Sequence, residues 1–185
     1  LNESLSTSIN YDAFEPMVVS AKEAGIKRFI YASTSSVYGV SEQKDVKEDH
    51  PLVPLTLYNK YKGICEPLLF KHTDNNFEGV IFRPATVCGW SPRMRLDVAV
   101  NLLTFQALSK KEITVFGGSQ TRPNIHIDDM VAVYQHFISN PDIPSGFYNA
   151  GFENISISTI AEMIRQKIDA DVIVKPSNDP RSYNQ

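Results

Sequence analysis

From Lys27 onward, short apolar runs rich in β-branched and aromatic residues alternate with longer stretches of helical spacing. Strands joined by crossovers of helix length cannot form hairpins, so the alternation predicts a parallel sheet covered by helices. Pro16–Ala24 reads as a helix closed by Gly25. Strands are expected at Lys27–Ser33, Gly79–Val87, Ile113–Phe116, Phe147–Ala150 and Val172–Val174, with a short extended segment at Pro123–Ile127. Helices are expected at Leu57–His72, where Pro67 should kink or shorten the helix, and at Asp97–Leu108. Two more should follow Asp128, as an N-cap, to Ser139 and run from Ser158 to about Ile168. Between the first strand and its helix lies a charged loop, Ser41–His50, with Pro51 and Pro54 delaying helix formation. No internal repeat or low-complexity linker appears, so the chain reads as one module with a smaller second lobe after Ser91.

Composition narrows the function classes. The 185 residues can bury a sizeable core, and the net charge of -3 offers no electrostatic footing for nucleic acid or an anionic membrane. No apolar run reaches the ~20 residues of a membrane span, and no signal peptide is visible. Two cysteines, Cys65 and Cys88, make no disulfide framework, so a cytoplasmic, reducing location is expected. The scattered histidines and cysteines have no metal-ligand spacing, and no metal is expected. The chain opens at Leu1 without an initiator Met and stops soon after an expected strand, which reads as part of a longer protein.

The chemistry concentrates in two places. Phe29–Gly39 is a buried strand ending in a cluster of hydroxyls, with Thr34 where a parallel sheet binds ligands. Tyr58 and Lys62 follow, spaced to share one helix face. A neighbouring ammonium favours phenolate and makes a tyrosine able to take a proton from an alcohol. With 8 tyrosines in the chain, one Tyr-x-x-x-Lys is weak evidence alone, and an amphipathic helix also places Tyr and Lys so. The ordered combination is more specific.

Arg28-Phe-Ile-Tyr-Ala-Ser-Thr-Ser-Ser-Val-Tyr-Gly39, Tyr58-x-x-x-Lys62-x-x-x-Glu66, Phe82-Arg-Pro-Ala-Thr-Val-Cys-Gly89, Val115–Asp129 and Gly146-Phe-Tyr-Asn-Ala-Gly151 follow one another in order. In these blocks the chain resembles the extended short-chain dehydrogenase/reductase family, in particular its nucleotide-sugar epimerases and dehydratases. The resemblance implies the C-terminal part of a Rossmann-like α/β sheet with a small substrate lobe. Residues 1–90 would hold the Rossmann part with the Tyr/Lys pair, and residues 91–185 a mixture of Rossmann and substrate-lobe segments. It also implies roles. Tyr58 would be the base, Lys62 its partner on the nicotinamide ribose, and Thr34 the catalytic hydroxyl. Asn10, Ala32, Ser33 and Pro84, with Tyr58 and Lys62, would contact NAD, or NADP. Thr34, Ser35, Thr86, Asn101, Arg122 and Arg181 would contact a nucleotide-sugar substrate. The family also dimerises through paired helices; Met17, Val18, Leu68 and Leu69 suit such a homodimer and equally suit a core.

The chain departs from the family pattern in places. Ser35 and Ser36 stand where its dehydratases carry acids, which favours an epimerase. Tyr61 replaces the usual Ser before the lysine, and Thr86 a frequent Asn. None of the 9 glycines forms the Gly-x-x-Gly-x-x-Gly pyrophosphate turn. Arg83, Asp128 and His126 read as scaffold, while Arg93 and Arg95 suit either a phosphate contact or a solvated loop. The alternatives to an epimerase are a reductase or dehydrogenase acting on another alcohol, or a non-catalytic fragment without the cofactor loop.

Overall fold

The computed structural model of the chain describes residues 2–41, 43 and 45–177. In chain order the elements are α1 (Glu3–Thr7), a π-helical turn (Ser8–Asp12), α2 (Phe14–Glu23), β1 (Arg28–Ala32), a 3-10 turn (Ser35–Tyr38), α3 (Leu57–Lys71), β2 (Glu78–Pro84), β3 (Thr86–Cys88), α4 (Ala99–Lys110), β4 (Glu112–Phe116), β5 (Thr121–His126), α5 (Ile127–Ser139), β6 (Gly146–Ala150), β7 (Glu153–Ser156), α6 (Ile157–Arg165) and β8 (Asp171–Lys175). The chain divides into two units, one made of residues 1–39, 43–84 and 135–150, the other of residues 40–42, 85–134 and 151–185.

The first unit is built on a parallel sheet in the order β1-β2-β6. The middle of its central strand is apolar because neither face meets water there: Val80, Ile81 and Phe82 are wholly buried. Phe14 and Val18 of α2, Cys65 and Leu69 of α3, and Tyr31, Phe77 and Ile81 form one cluster, each large side chain contributing about 1.5–3 kcal/mol by leaving water. Val18 and Leu69 are therefore core, Leu68 packs beside them, and Met17 remains exposed. Arg28 fastens the start of β1. Its guanidinium meets the Glu78 carboxylate and donates to the carbonyls of Phe137, Asn140, Pro141 and Ile143, capping the end of α5 and the connection to β6.

α3 starts where expected because Thr56, in extended conformation, accepts the Asn59 N–H on its hydroxyl at 3.2 Å. It does not stop at Pro67 and runs on to Lys71. The carbonyl facing the proline ring belongs to Gly63, where the absence of a side chain eases accommodation.

The second unit contains the sheet β3-β5-β7 and the parallel pair β4-β8. Leu103 and Ala107 of α4 pack with Ile113, Val115, Ile157, Ile160, Ala161 and Ala170. The single strand expected at Gly79–Val87 is instead two. Pro84, without an N–H, is the last residue of β2, and after Ala85 the chain pairs with β5 in a different sheet. Two caps also differ from expectation. Ser156 rather than Ser158 caps α6, accepting the Thr159 N–H at 3.0 Å. α5 begins before Asp128, whose N–H is taken by the His126 ring nitrogen Nδ1 at 3.3 Å. The helical residues 3–12 and strand β7 have no counterpart in the sequence expectation. Among the described residues, no helix is long and apolar enough to cross a membrane.

Candidate active site

The hydroxyl cluster is shaped by how β1 ends. The Ser33 N–H continues the ladder by donating to the Phe82 carbonyl at 2.7 Å, while its side chain is buried and Oγ has no hydrogen-bond partner among the described residues. Thr34 is still extended (φ -160°, ψ 144°), and its Oγ1 accepts the Ser36 N–H at 3.2 Å, capping the 3-10 turn that Ser35 begins. Gly39 closes that turn at φ +74°, and a Cβ there would lie 2.1 Å from the Val53 carbonyl oxygen, so only glycine fits. Ala32, Ser33, Thr34 and Ser35 thus follow one another at the C-terminal end of the parallel sheet, where such sheets bind ligands. Pro84 ends the neighbouring strand, β2, at the same edge.

α3 returns from that edge and presents the Tyr/Lys pair in its first turns. Tyr58 is half exposed, whereas Lys62 is partly buried. The Lys62 Nζ lies 6.0 Å from the centroid of the Tyr58 ring and 4.4 Å from that of Tyr31. Burial pulls the Lys62 pKa below its ordinary value, while Cys65 and Glu66 nearby push it back up. Burial, chiefly, also raises the Tyr31 phenol, with Cys65, Tyr58 and Glu66 adding to the effect. Tyr31 therefore stays protonated at any physiological pH.

Asn10 sits in the π-helical turn, its amide donating to the Ser6 carbonyl at 2.9 Å. α1 and the turn are tied to α3 by two of its side chains. Cys65 Sγ donates to the Asn10 carbonyl at 3.2 Å, and Tyr61 shares a 2.7 Å hydroxyl bond with Thr7 while stacking on Tyr11. Tyr61, the residue out of pattern before Lys62, is thus a packing substitution with a hydrogen bond of its own.

Beneath the pair lies a buried ion pair. Arg83 meets Glu66 bidentately, Nε to Oε1 at 3.0 Å and Nη2 to Oε2 at 2.6 Å, with the side chains 4% and 1% exposed. Arg83 Nη1 also donates to the Tyr38 hydroxyl and the Glu48 carbonyl, and Tyr38 in turn donates to Asn149. This network joins α3, the 3-10 turn, the 46–48 loop and β6, and Arg83 is scaffold as its position suggested. Glu66 was legible only as the acid one turn beyond Lys62.

The other candidates lie in the second unit. Thr86 opens β3 opposite Asn124, and Arg122 stands on β5 with Nη1 donating to the Thr121 carbonyl at 3.0 Å. Asn101 is buried and its amide is engaged at both ends, accepting the Gly89 N–H and donating to the Arg95 carbonyl, each at 2.9 Å. Arg95 pairs with Asp97 through two hydrogen bonds. Arg181 lies outside the described residues. No group of three or more His, Cys, Asp or Glu among the described residues could hold a metal ion.

A buried hydroxyl with unspent bonding capacity and an ammonium partly stripped of water suit the polar face of a nicotinamide nucleotide, so the residues present fit that cofactor.

The chain belongs to the NAD dependent epimerase/dehydratase family, whose model matches residues 4–151. It is 34% identical over 158 residues to a protein of Bacillus subtilis (strain 168) described as an uncharacterized UDP-glucose epimerase, YtcB, covering 84% of this chain and 49% of that protein. It is 32% identical over 148 residues to an ADP-L-glycero-D-manno-heptose-6-epimerase of Brachyspira hyodysenteriae (strain ATCC 49526 / WA1), covering 75% and 46%. Among solved structures, the Helicobacter pylori ADP-L-glycero-D-manno-heptose-6-epimerase superposes with a TM-score of 0.84 at 25% identity, over 100% of this chain and 59% of that one. The Bacillus cereus UDP-glucuronic acid 4-epimerase, in complex with UDP-glucuronic acid and NAD, gives 0.78 at 30% identity, over 95% and 58%. The chain therefore spans about half the length of the curated relatives it matches. The family is NAD dependent, and the fold is the α/β, Rossmann-like one expected.

Proposed function

We propose that the protein carrying this chain is an NAD-dependent epimerase of a nucleotide sugar, with Tyr58 as base, Lys62 as its partner and Thr34 orienting the substrate hydroxyl. The observation that carries the reading is the Lys62 ammonium, drawn partly out of water between two phenols of opposite character. Tyr31 is buried and held protonated, which leaves the half-exposed Tyr58 as the phenol that exchanges a proton. An ammonium in a poorly solvated setting acts more strongly on a neighbouring phenolate than one in water.

Tyr58 takes the proton of a sugar hydroxyl. The Thr34 oxygen accepts the Ser36 N–H, which leaves its own proton free to be donated to the sugar oxygen. NAD, when bound, supplies reversible hydride acceptance. Asn10, Ala32, Ser33 and Pro84, with Tyr58 and Lys62, would hold it. Ser35, Thr86, Arg122 and Arg181 would meet the substrate, Arg122 as a planar fork on phosphate oxygens. Asn101, its amide committed to Gly89 and Arg95, would serve by fixing that loop. Ser35 and Ser36, in place of acids, favour epimerisation over dehydration.

In the full-length protein, Tyr58→Phe should abolish most turnover of a nucleotide sugar while leaving the circular dichroism spectrum unchanged. Near-normal turnover in that variant would overturn the assignment. NADH accumulating in step with substrate would instead identify a dehydrogenase, because an epimerase returns its cofactor to the starting state.

A further inference from the structure

We infer that Tyr31 is a positioning residue for Lys62: its ring seats the ammonium and its hydroxyl anchors the backbone of the same lysine. The inference rests on the role proposed for Lys62. The ammonium stands 4.4 Å from the Tyr31 ring centroid, within range of attraction to an aromatic face, and nearer than the 6.0 Å to Tyr58. The Tyr31 hydroxyl donates to the Lys62 carbonyl at 3.3 Å. One side chain thus holds both the root and the tip of a lysine that otherwise has four rotatable bonds to order.

No carboxylate pairs with Lys62 among the described residues. The titratable groups around it are Tyr58, Cys65 and Glu66 on α3 and Tyr31 on β1. Glu66 is spent on Arg83, and the Cys65 thiol donates to Asn10. Besides the longer-range pull of Glu66 and Cys65, the Tyr31 ring is the nearer of the two aromatic faces that attract the charge. Tyr31 also lies on the strand that leads directly into Ser33 and Thr34, so the seat ties the lysine to the element carrying the catalytic hydroxyl.

The test is lysine side-chain NMR on this chain, with the Lys62 signal assigned by its loss in Lys62→Arg. In the unsubstituted chain the Lys62 ε-protons should be displaced upfield by the ring; an ordinary lysine shift there overturns the inference. Tyr31→Phe keeps the ring and should retain both the upfield shift and the titration midpoint of Lys62. Tyr31→Met fills similar volume without a ring and should lose the upfield shift and lower the midpoint. Signals unchanged in Tyr31→Met, or displaced equally in Tyr31→Phe, refute the seat. In the full-length protein the acidic limb of the pH–rate profile should move in Tyr31→Met and hold in Tyr31→Phe. A shielded Lys62 in a full-length protein without turnover would sink the epimerase reading and leave the seat standing.

Discussion

Replacing Glu66 by Leu gives the sharpest test of how the first unit is held together. The substitution removes both acceptors of a guanidinium that is 4% exposed, leaving Arg83 Nε and Nη2 without partners and its charge uncompensated. Breaking a buried pair from one side costs about 3–5 kcal/mol. That is a large share of a total stability of about 5–15 kcal/mol. With a urea dependence of about 2 kcal/mol/M, the unfolding midpoint should fall by roughly 1.5–2.5 M. The double variant Glu66→Leu/Arg83→Leu removes the stranded charge and should be more stable than Glu66→Leu alone, although Tyr38 and the Glu48 carbonyl lose a donor. Far-UV circular dichroism is the appropriate signal, since Trp90 belongs to the second unit. A midpoint shift under ~0.5 M, or a double variant whose loss equals the sum of the two single losses, would refute the reasoning.

Three other outcomes are expected. Hydrogen bonds from Lys71 and His72 hold the Glu15 carboxyl below its ordinary pKa, so its stabilisation is complete above the unfolded value of about 4.3 and vanishes as pH falls through the lower folded one; Glu15→Gln should flatten the acid limb of Tm against pH. Burial lowers Lys62, so between its folded pKa and the unfolded value of about 10.4 the unfolded chain binds more protons and stability rises with pH; Lys62→Met should remove that rise in the same scan. Gly25→Ala, at φ +79° in open space, should cost about 1 kcal/mol, whereas Gly39→Ala, driven into the Val53 carbonyl, should cost well over 2 kcal/mol or prevent folding, as urea titration would show.

The sequence made some elements readable and hid others for identifiable reasons. β1 was legible because an apolar run marks it locally, and α3 because helical spacing begins once Pro51 and Pro54 are passed. The helical residues 3–12 were not, because they bury no side chain and so carry no apolar periodicity. The break at Ala85 was hidden because residues on both sides suit strands, and only the choice of partner separates β2 from β3. In the candidate site, the i, i+4 spacing pointed to Tyr58 and Lys62 only in combination with the ordered blocks around it. Tyr31, on another element and looking like an ordinary core aromatic, becomes visible only once β1 and α3 are packed together.

The fastening of Arg28 to carbonyls 109–115 residues later bears on how the chain folds. β6 is the last strand of its sheet, and the whole stretch from Ala85 to Tyr134 is threaded between it and β2. Until that stretch has been made, β2 presents an unpaired apolar edge, the kind of surface on which chains associate wrongly. Closing a loop of that length costs entropy before its contacts repay it. A second unit that folds first would draw the ends of the loop together. Synthesis halted after Tyr134 should therefore give an aggregating product, and assembly of the β1-β2-β6 sheet should be the slow event in refolding.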